Sequence, residues 1–185
     1  MFNNLENQEN ILQGCKRSDR ISQEKLYRQF YPGLFALCKK FFDENHDILT
    51  ALNNGMMNVY KNIDLYDKTK GELFNWAYTI VRNAALTHLR NKMNTTEHSE
   101  LTKYIESDVQ ESPFKKLEWK DIYFYLSKLP ASTRAVCTLY YIEGYIIKDI
   151  AEQMSLSEGT IKWHLSESRA KLKVIFTKNT IQKSV

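Results

Sequence analysis

The chain has 185 residues, 43% of them hydrophobic and 26% charged, and its formal net charge at pH 7 is +4. This length and composition are typical of a globular protein with one large domain or two small ones. The longest apolar run, 34–38, is far shorter than the roughly 20 residues that span a bilayer, so we expect no membrane insertion. The N-terminus is polar and acidic where a secretory signal is basic and apolar, and we therefore expect a cytoplasmic protein.

The residue types that support catalysis or metal binding are scattered along the chain. Cys15, Cys38 and Cys137 are odd in number and lack the paired spacing of a zinc site or a redox dithiol, so we expect reduced, ordinary side chains. The four histidines lack metal-ligand spacing, and no glycine-rich phosphate loop or pair of nucleophile and base can be identified. We therefore expect no enzyme, and no cofactor, metal or small-molecule substrate.

Glycine and proline are scarce, with six and three residues, and no alternating strand pattern is present. The sequence therefore predicts an all-α protein. Its net charge is +3 over 1–93, −4 over 94–111 and +5 over 112–185. This distribution predicts two small helical domains that face nucleic acid, 1–93 and 112–185, joined by a flexible acidic linker, 94–111. A charged, solvated loop inside a single domain is the alternative explanation of the acidic segment.

Four helices are predicted in the first domain. An aromatic, apolar face recurs at steps of three and four residues over 26–42. Pro32-Gly33 interrupts this face, and proline suits the first turn of a helix better than its interior. We therefore predict that one helix ends near Tyr31 and that another begins there. Helical spacing predicts the third helix over 48–63 and the fourth over 74–89.

The fourth predicted helix is basic. Over 78–93 it has no acidic residue, and it presents polar or basic side chains at Arg82, Asn83, Thr87, His88, Arg90, Asn91 and Lys92. Such a surface suits a polyanion. Tyr66 lies in the polar loop before this helix and Trp76 lies near its start, and aromatic side chains beside a basic face stack on unpaired bases, worth about 1–3 kcal/mol per base. A core anchor is an equally frequent role for a tryptophan, so both roles stay open for Trp76.

The segment 145–173 has the layout of a helix-turn-helix. Apolar residues at helical spacing line one face of each helix, and Ser155-Leu156-Ser157 forms the turn. Ser157 is placed to cap the second helix. The residues predicted to face outward on that helix are Lys162, Trp163, His164, Ser166, Glu167, Arg169, Lys171 and Lys173. A helix of this kind enters a major groove, although a solvated surface helix has a similar pattern.

These features together resemble a bacterial RNA polymerase sigma factor of the extracytoplasmic-function group of the sigma-70 family. The resemblance covers about residues 10–176. It is carried by KNIDLYDKTKGELFNWAYTIVRNAALTHLRNK at 61–92, the acidic segment, and LSKLPASTRAVCTLYYIEGYIIKDIAEQMSLSEGTIKWHLSESRAKLK at 126–173. It implies a specificity subunit that directs core RNA polymerase to promoters, with core RNA polymerase and promoter DNA as partners and an anti-sigma factor as a candidate partner.

The resemblance also implies a division of labour between the two domains. Region two, within 1–93, would bind core polymerase and would recognise and melt the minus-10 element, with a flipped base held by the loop 65–72 and by Asn83. The residues assigned to the minus-10 element are Tyr66, Lys68, Lys70, Trp76, Arg82, Asn83, Thr87, His88 and Arg90. Region four, within 112–185, would read the minus-35 element. The residues assigned to it are Thr160, Lys162, Trp163, His164, Ser166, Glu167, Arg169 and Lys171.

The polymerase-binding helix departs from the family pattern. Its matching positions are Asn53, Asn54, Met56 and Tyr60, but the family commonly has Leu-x-Gln-Glu where this chain has Leu52-Asn53-Asn54-Gly55. The main alternative function is a response-regulator-type transcription regulator with a LuxR-like helix-turn-helix, which would bind duplex DNA as a dimer without polymerase. Against it, the N-terminal half shows no βαβ alternation and no acidic phosphoacceptor cluster. A purely helical interaction protein explains the periodicity but leaves the basic faces unexplained.

Overall fold

The computed structural model describes residues 2–95 and 119–182, with side chains described for 8–93 and 122–176. Over these residues the chain forms eight α-helices and no strand, which confirms the all-α prediction. The helices are α1 Phe2–Lys16, α2 Arg20–Lys39, α3 Asn45–Lys61, α4 Leu73–Thr95, α5 Trp119–Leu126, α6 Ala131–Cys137, α7 Ile147–Met154 and α8 Glu158–Gln182. The predicted linker, 94–111, lies almost entirely outside the described residues.

The chain divides into two compact units. The first comprises Met1–Lys39 and Asp43–His88, and the second comprises Lys40–Phe42 and Leu89–Val185. In the first unit, α1 and α3 both pack against α2. Its apolar core takes residues from all four helices: Ile11, Leu12, Cys15, Leu26, Phe30, Leu34, Leu37, Cys38, Ile48, Ala51, Leu52, Met56, Val59, Leu73, Ala77, Val81, Ala85 and Leu86.

The first unit has four helices, but they are not the four that the sequence predicts. Helix α1 has no predicted counterpart. In place of two helices meeting near Tyr31, α2 runs without interruption through Pro32. Proline inside a helix costs about 3 kcal/mol or more. Burial of Phe30 and Leu34, on either side of Pro32, offsets this cost.

The reason for a glycine at position 33 is a close contact between helices and not a turn. A Cβ atom at this position would lie 2.6 Å from Cζ of Phe74, which belongs to α4. The ring of Phe74 also packs edge-on against Phe30, with centroids 5.2 Å apart. The absence of a side chain at Gly33 therefore lets α2 approach an aromatic ring of α4.

The second unit is organised around α8. Helix α8 packs against α6 and α7, and one apolar cluster joins it to α5 and the residues that follow. The cluster contains Ile122, Leu126, Leu129, Cys137 and Leu172, with Tyr125, Tyr141, Ile142 and Phe176 packed against it. A single π-helical turn over Thr138–Ile142 follows α6.

The three cysteines are free, as expected from their spacing, and all three are buried. Burial raises the pKa of both the Cys38 and Cys137 thiols to about 12. Burial, and next the Asp19 carboxylate, raise the pKa of Cys15 to about 11. All three are therefore uncharged thiols at neutral pH.

Candidate nucleic-acid and polymerase interface

The predicted helix-turn-helix is formed by α7 and α8. Helix α7 ends where Ser155 adopts a left-handed conformation with φ of 54°. The next N–H, of Leu156, donates to the carbonyl of Ala151 over 3.0 Å, which closes the helix end. The hydroxyl of Ser157 accepts from the N–H of Thr160 over 3.0 Å, so the predicted cap is confirmed.

The residues predicted on the outer face of α8 differ in their exposure. Lys162 is exposed, as is Lys173 further along the helix. The half-buried residues are Thr160, Trp163, Ser166, Glu167, Arg169 and Lys171. The exposed part of this face is therefore narrower than the eight predicted residues suggest, and Lys162 is its exposed cation in the first turns of the helix.

The expectation that His164 faces outward is wrong. Its side chain is buried, and its Nδ1 shares a hydrogen bond of 3.0 Å with the hydroxyl of Thr133 in α6. Burial lowers the pKa of His164 to about 4, against a smaller opposing effect of Glu167. A hydrogen bond between a neutral imidazole and a buried hydroxyl gives both polar groups a partner inside the core. The apolar faces of α6 and α8 can then pack around them.

The two basic residues predicted near phosphates already have partners within the second unit. Arg169 donates from Nη1 to the hydroxyl of Tyr141 over 3.0 Å. The Nζ atom of Lys171 lies 3.1 Å from a carboxylate oxygen of Glu167, one helical turn earlier. Both cations are thereby held along the side of α8.

The loop before α4 is held by its own side chains. The hydroxyl of Tyr66 donates to the carbonyl of Gly71 over 2.9 Å. The carboxylate of Asp67 accepts from both the N–H and the hydroxyl of Thr69, over 2.9 and 2.7 Å. Gly71 has φ of 140°, which side chains rarely tolerate. The loop is therefore a preorganised turn, with Lys68 exposed on its surface.

Two predicted aromatic residues meet at this loop. The rings of Tyr66 and Trp76 have centroids 5.6 Å apart and planes tilted by 53°. Both side chains are half-buried, so the tryptophan anchors the loop and keeps part of its surface accessible. Lys70 is also exposed, and its Nζ lies 3.8 Å from Asp67.

A cavity of about 360 Å³ lies between this loop and α1. Its lining residues are Gln8, Glu9, Leu12, Tyr66, Lys68, Thr69, Gly71, Glu72 and Leu73. Burial raises the pKa of Tyr66, and the carboxylates of Glu72, Asp67 and Glu9 add smaller effects in the same direction. The phenol therefore stays protonated at the edge of the cavity and can act as a hydrogen-bond partner.

On α4, exposure separates the predicted residues into two groups. Asn83 and Thr87 are exposed, and the hydroxyl of Thr87 donates to the carbonyl of Asn83 over 3.0 Å. The expectation that Arg82 lies on the surface is wrong: it is buried, and its Nη2 lies 3.4 Å from Oδ1 of Asn83. Arg82 therefore supports the exposed amide from beneath the surface.

His88 and Arg90 are both half-buried. Nε2 of His88 lies 3.0 Å from a carboxylate oxygen of the buried Asp47 in α3, so His88 joins two helices of the first unit. A contact from His88 to DNA would compete with this internal bond.

The predicted polymerase-binding residues on α3 also divide by exposure. Asn53 and Asn54 are exposed, and Asn53 accepts a hydrogen bond of 2.9 Å from the hydroxyl of Tyr27. Tyr60 is half-buried and donates to the carbonyl of Gln23 over 2.8 Å. The assignment of Met56 to this surface is wrong, because Met56 is 2% exposed and packs in the core.

The methionine that α3 exposes is instead the next residue, Met57, which is 54% exposed. Leu49, two turns earlier on the same face, is 38% exposed. The spacing of the buried residues Ile48, Leu52 and Val59 contains this information, since it fixes which face of α3 points away from the core.

Among residues 2–95 and 119–182, no group of three His, Cys, Asp or Glu side chains is placed to hold a metal ion. Within those same ranges, no helix combines the length and the apolar character that a bilayer crossing requires.

Comparison with protein families decides the identity. The Sigma-70 region 2 model matches residues 26–95, and the Sigma-70 region 4 model matches residues 120–172. The two matches follow each other along the chain and together cover most of it. The chain belongs to the sigma-70 family. The region 2 match covers most of the first helical unit. A response-regulator-type factor would lack this region, so that alternative is not favoured.

Individual relatives place this sigma factor in the extracytoplasmic-function group. It is 25% identical over 157 residues to the ECF RNA polymerase sigma factor SigM of Bacillus subtilis, covering 84% of this chain and 95% of the relative. It is 23% identical over 170 residues to the ECF RNA polymerase sigma factor SigW of the same organism, covering 85% of this chain and 90% of that one. The sigma factor directs core RNA polymerase to promoters and initiates transcription.

This sigma factor is also similar to a solved structure. The sigma factor RpoE of Bartonella quintana, in complex with the anti-sigma factor NepR, is 19% identical, with a TM-score of 0.48. The match covers 83% of this chain and 96% of that chain.

Proposed function

We propose that the two matched regions contact separate promoter elements and that α3 of the first unit binds core polymerase. The observation that carries this proposal is the order of the two regional matches along one chain, each on a helical segment with an exposed polar surface. In the second unit, α8 reads the minus-35 element as duplex DNA. Lys162 lies closest to phosphates or base edges, with Thr160, Trp163 and Ser166 beside it.

The first unit opens the minus-10 element. Asn83 and Thr87 on α4 face the DNA, Lys68 and Lys70 neutralise phosphates, and the preorganised loop with Tyr66 receives an unstacked base. A rigid pocket favours this step because the protein does not have to order the loop at the moment when the base leaves the stack. Arg82 contributes by orienting the amide of Asn83, and His88 contributes by joining α4 to Asp47 of α3.

The polymerase-facing surface is the exposed side of α3. Asn53 and Asn54 supply hydrogen-bonding groups there, and Met57 supplies apolar surface that a partner helix can cover. The hydrogen bond from Tyr27 to Asn53 orients one of these amides before binding. Among the proposed polymerase-binding residues, Met57 therefore takes the place that the sequence assigned to Met56.

The cellular setting follows from the partners. We propose that this sigma factor acts in the cytoplasm, where bacterial core polymerase and the chromosome are located. Proteins of this family are DNA-binding initiation factors that are generally not enzymes, and we propose the same for this chain. An anti-sigma partner stays a prediction from the resemblance.

Reconstituted transcription tests the proposal. The full chain is mixed with bacterial core polymerase that lacks its own sigma factor, and complex formation and transcription from genomic fragments are measured. We expect a stable complex and discrete start sites, whose upstream sequences give the promoter consensus. Tight duplex binding by a dimer of the chain alone, with no polymerase complex, would contradict the proposal.

Two matched variants separate the roles of the units. Lys162→Ala should weaken initiation at promoters with a minus-35 element and leave polymerase binding intact. Asn83→Ala should leave polymerase binding and closed-complex formation intact and slow promoter opening. If each variant impairs both elements equally, the assignment of the elements to separate units is wrong.

A further inference from the structure

Leu65 is the most exposed large hydrophobic residue among those whose side chains the structure describes. Its side chain is 74% exposed, compared with 64% for Ile21 and 54% for Met57. A single surface leucine needs no special explanation. Leu65, however, lies in the loop that precedes α4, and the surroundings of that loop make its exposure relevant to function.

The backbone beneath Leu65 is fixed. Residues Ile63–Leu65 form one 3-10 turn, in which the N–H of Leu65 donates to the carbonyl of Asn62 over 2.9 Å. The N–H of Tyr66 donates to the carbonyl of Ile63 over 3.2 Å. Ile63 itself is 2% exposed and anchors the turn in the core. The leucine therefore projects from a short, rigid support.

Residues that follow Leu65 in the loop line the cavity between the loop and α1. Tyr66 lines the cavity of about 360 Å³ and is held by the bond from its hydroxyl to Gly71 and by the ring of Trp76. Lys68 is exposed and lines the same cavity. An exposed apolar side chain is thus followed directly along the chain by a cavity of mixed polar and apolar lining, with the exposed cation of Lys68 on its wall.

This juxtaposition fits the physics of duplex opening. When a base leaves the stack, its neighbours lose a stacking partner, which costs a few kcal/mol per step, and proteins that kink duplexes fill the gap with an apolar side chain. A leucine already exposed to water regains apolar contact on entering the gap. Because the support is rigid, little conformational entropy is lost on insertion.

We propose that Leu65 is the wedge of this sigma factor: it inserts between adjacent bases of the minus-10 element and replaces the stacking partner that leaves. This proposal rests on the proposed function, in which the loop and α4 face the minus-10 element. It adds a residue and a step, since the polar residues of the loop receive the base whereas Leu65 keeps the gap open. Leu65 thus determines the rate and extent of opening, and the choice of sequence remains with its polar neighbours.

The experiment compares full-length variants in complex with core polymerase on a promoter recovered by the transcription assay. Opening is followed by the fluorescence of 2-aminopurine placed in the minus-10 element. Leu65→Ala should reduce opening of duplex DNA by about tenfold, as expected for the loss of one stacking-type contact. The reduction should be less than about twofold on DNA mismatched in advance across the opened segment, because unstacking is already complete there.

Two further variants make the result specific. Leu65→Met keeps apolar length and should open duplex DNA at close to the wild-type rate. Ile21→Ala removes another exposed apolar side chain outside the loop and should leave opening unchanged. Loss of opening in both Leu65→Ala and Ile21→Ala would overturn the wedge, because it would indicate a general surface effect.

The proposed function and the wedge fail in different ways. If Leu65→Ala opens the duplex as fast as the wild type, the wedge is wrong and the proposed function stands. A Leu65→Ala defect of equal size on mismatched DNA would also overturn the wedge, because the lost contact would then be unrelated to unstacking. If the wild-type complex forms on the promoter but never opens it, the proposed role of the first unit is wrong.

Discussion

Nδ1 of His164 and the hydroxyl of Thr133 lie 3.0 Å apart and join α8 to α6 inside the second unit. The sequence places His164 one residue after Trp163, in the helix that we propose reads DNA, yet its side chain is 8% exposed. Stability, and not direct base reading, is therefore the property that substitution of His164 changes first.

His164→Ala should lower the free energy of unfolding by about 1–3 kcal/mol, because the Thr133 hydroxyl is left buried without this partner. Lys162→Ala, two residues earlier and exposed, should change it by less than about 0.5 kcal/mol. Urea unfolding followed by circular dichroism measures both. A double-mutant cycle with Thr133→Val isolates the bond, and strict additivity would show that the two side chains are not coupled.

Acid should destabilise the second unit through the same histidine. The folded-state pKa of His164 is about 4, below the usual value of about 6.5, so the unfolded chain binds the proton more tightly between these values. This contribution is complete above pH about 6.5 and is lost as the pH falls toward 4, with a size on the order of 3 kcal/mol.

Unfolding midpoints measured between pH 7 and pH 4.5 test this pH dependence. Carboxylates titrate in the lower part of the range, so the His164→Asn variant is the reference. Its stability should fall less steeply than that of the wild type between pH 6.5 and 5. Parallel curves would contradict a buried neutral imidazole.

Met56 and Met57 make a matched pair on α3. Met56→Ala should cost about 2–5 kcal/mol of stability, because it leaves a cavity in the core. Met57→Ala should change stability by less than about 0.5 kcal/mol, and should weaken binding to core polymerase by about tenfold if its exposed surface is covered there. Urea unfolding and a polymerase binding titration distinguish the two. Unchanged binding by Met57→Ala would remove it from the polymerase surface.

Gly55 and Gly33 make a second pair, because each meets a different kind of neighbour. A Cβ at Gly55 would lie 2.7 Å from the backbone Cα of Val81, whereas a Cβ at Gly33 would meet the tip of the Phe74 ring. Gly55→Ala should therefore destabilise the first unit by about 1–3 kcal/mol.

Gly33→Ala should be close to neutral. The ring of Phe74 can shift, and alanine gains about 1 kcal/mol of helix propensity over glycine. Thermal unfolding of the two variants tests the contrast. Equal losses of stability would show that the ring is as immovable as the backbone.

Gly55 also accounts for one departure from the family pattern. The Leu52-Asn53-Asn54-Gly55 segment differs from the common form of the helix that we propose binds polymerase, and one reason lies inside the protein. Gly55 lets α3 approach the backbone of α4 at Val81. At Gly55 the departure therefore reflects packing between helices, whereas Asn53 and Asn54 remain on the surface.

The fold class and the helix-turn-helix could be predicted because they depend on local patterns. Helical spacing, scarce glycine and a serine before α8 are all visible along the chain, and the Ser157 cap forms as predicted. The continuous α2 could not be predicted from local rules. The cost of Pro32 is offset by burial of side chains against helices distant in sequence, which no local rule contains.

The candidate site was predicted less accurately, for a geometric reason. One residue along a helix turns the side chain by about 100°, so a small error in phase exchanges core and surface. Met56 and Met57 show this, as do Arg82 and Asn83. His164 adds a chemical reason: a polar side chain can lie in a core when a distant hydroxyl, here that of Thr133, satisfies it.

The burial of all three thiols has a consequence for redox chemistry and for experiments. Cys15, Cys38 and Cys137 are at most 1% exposed and uncharged at neutral pH, so alkylating reagents and peroxides react slowly with the folded chain. Any transcriptional response to thiol oxidants must then be sensed by another molecule. The wild-type chain is also a suitable background for a single surface cysteine, since a label placed at Lys162 would report on that position alone.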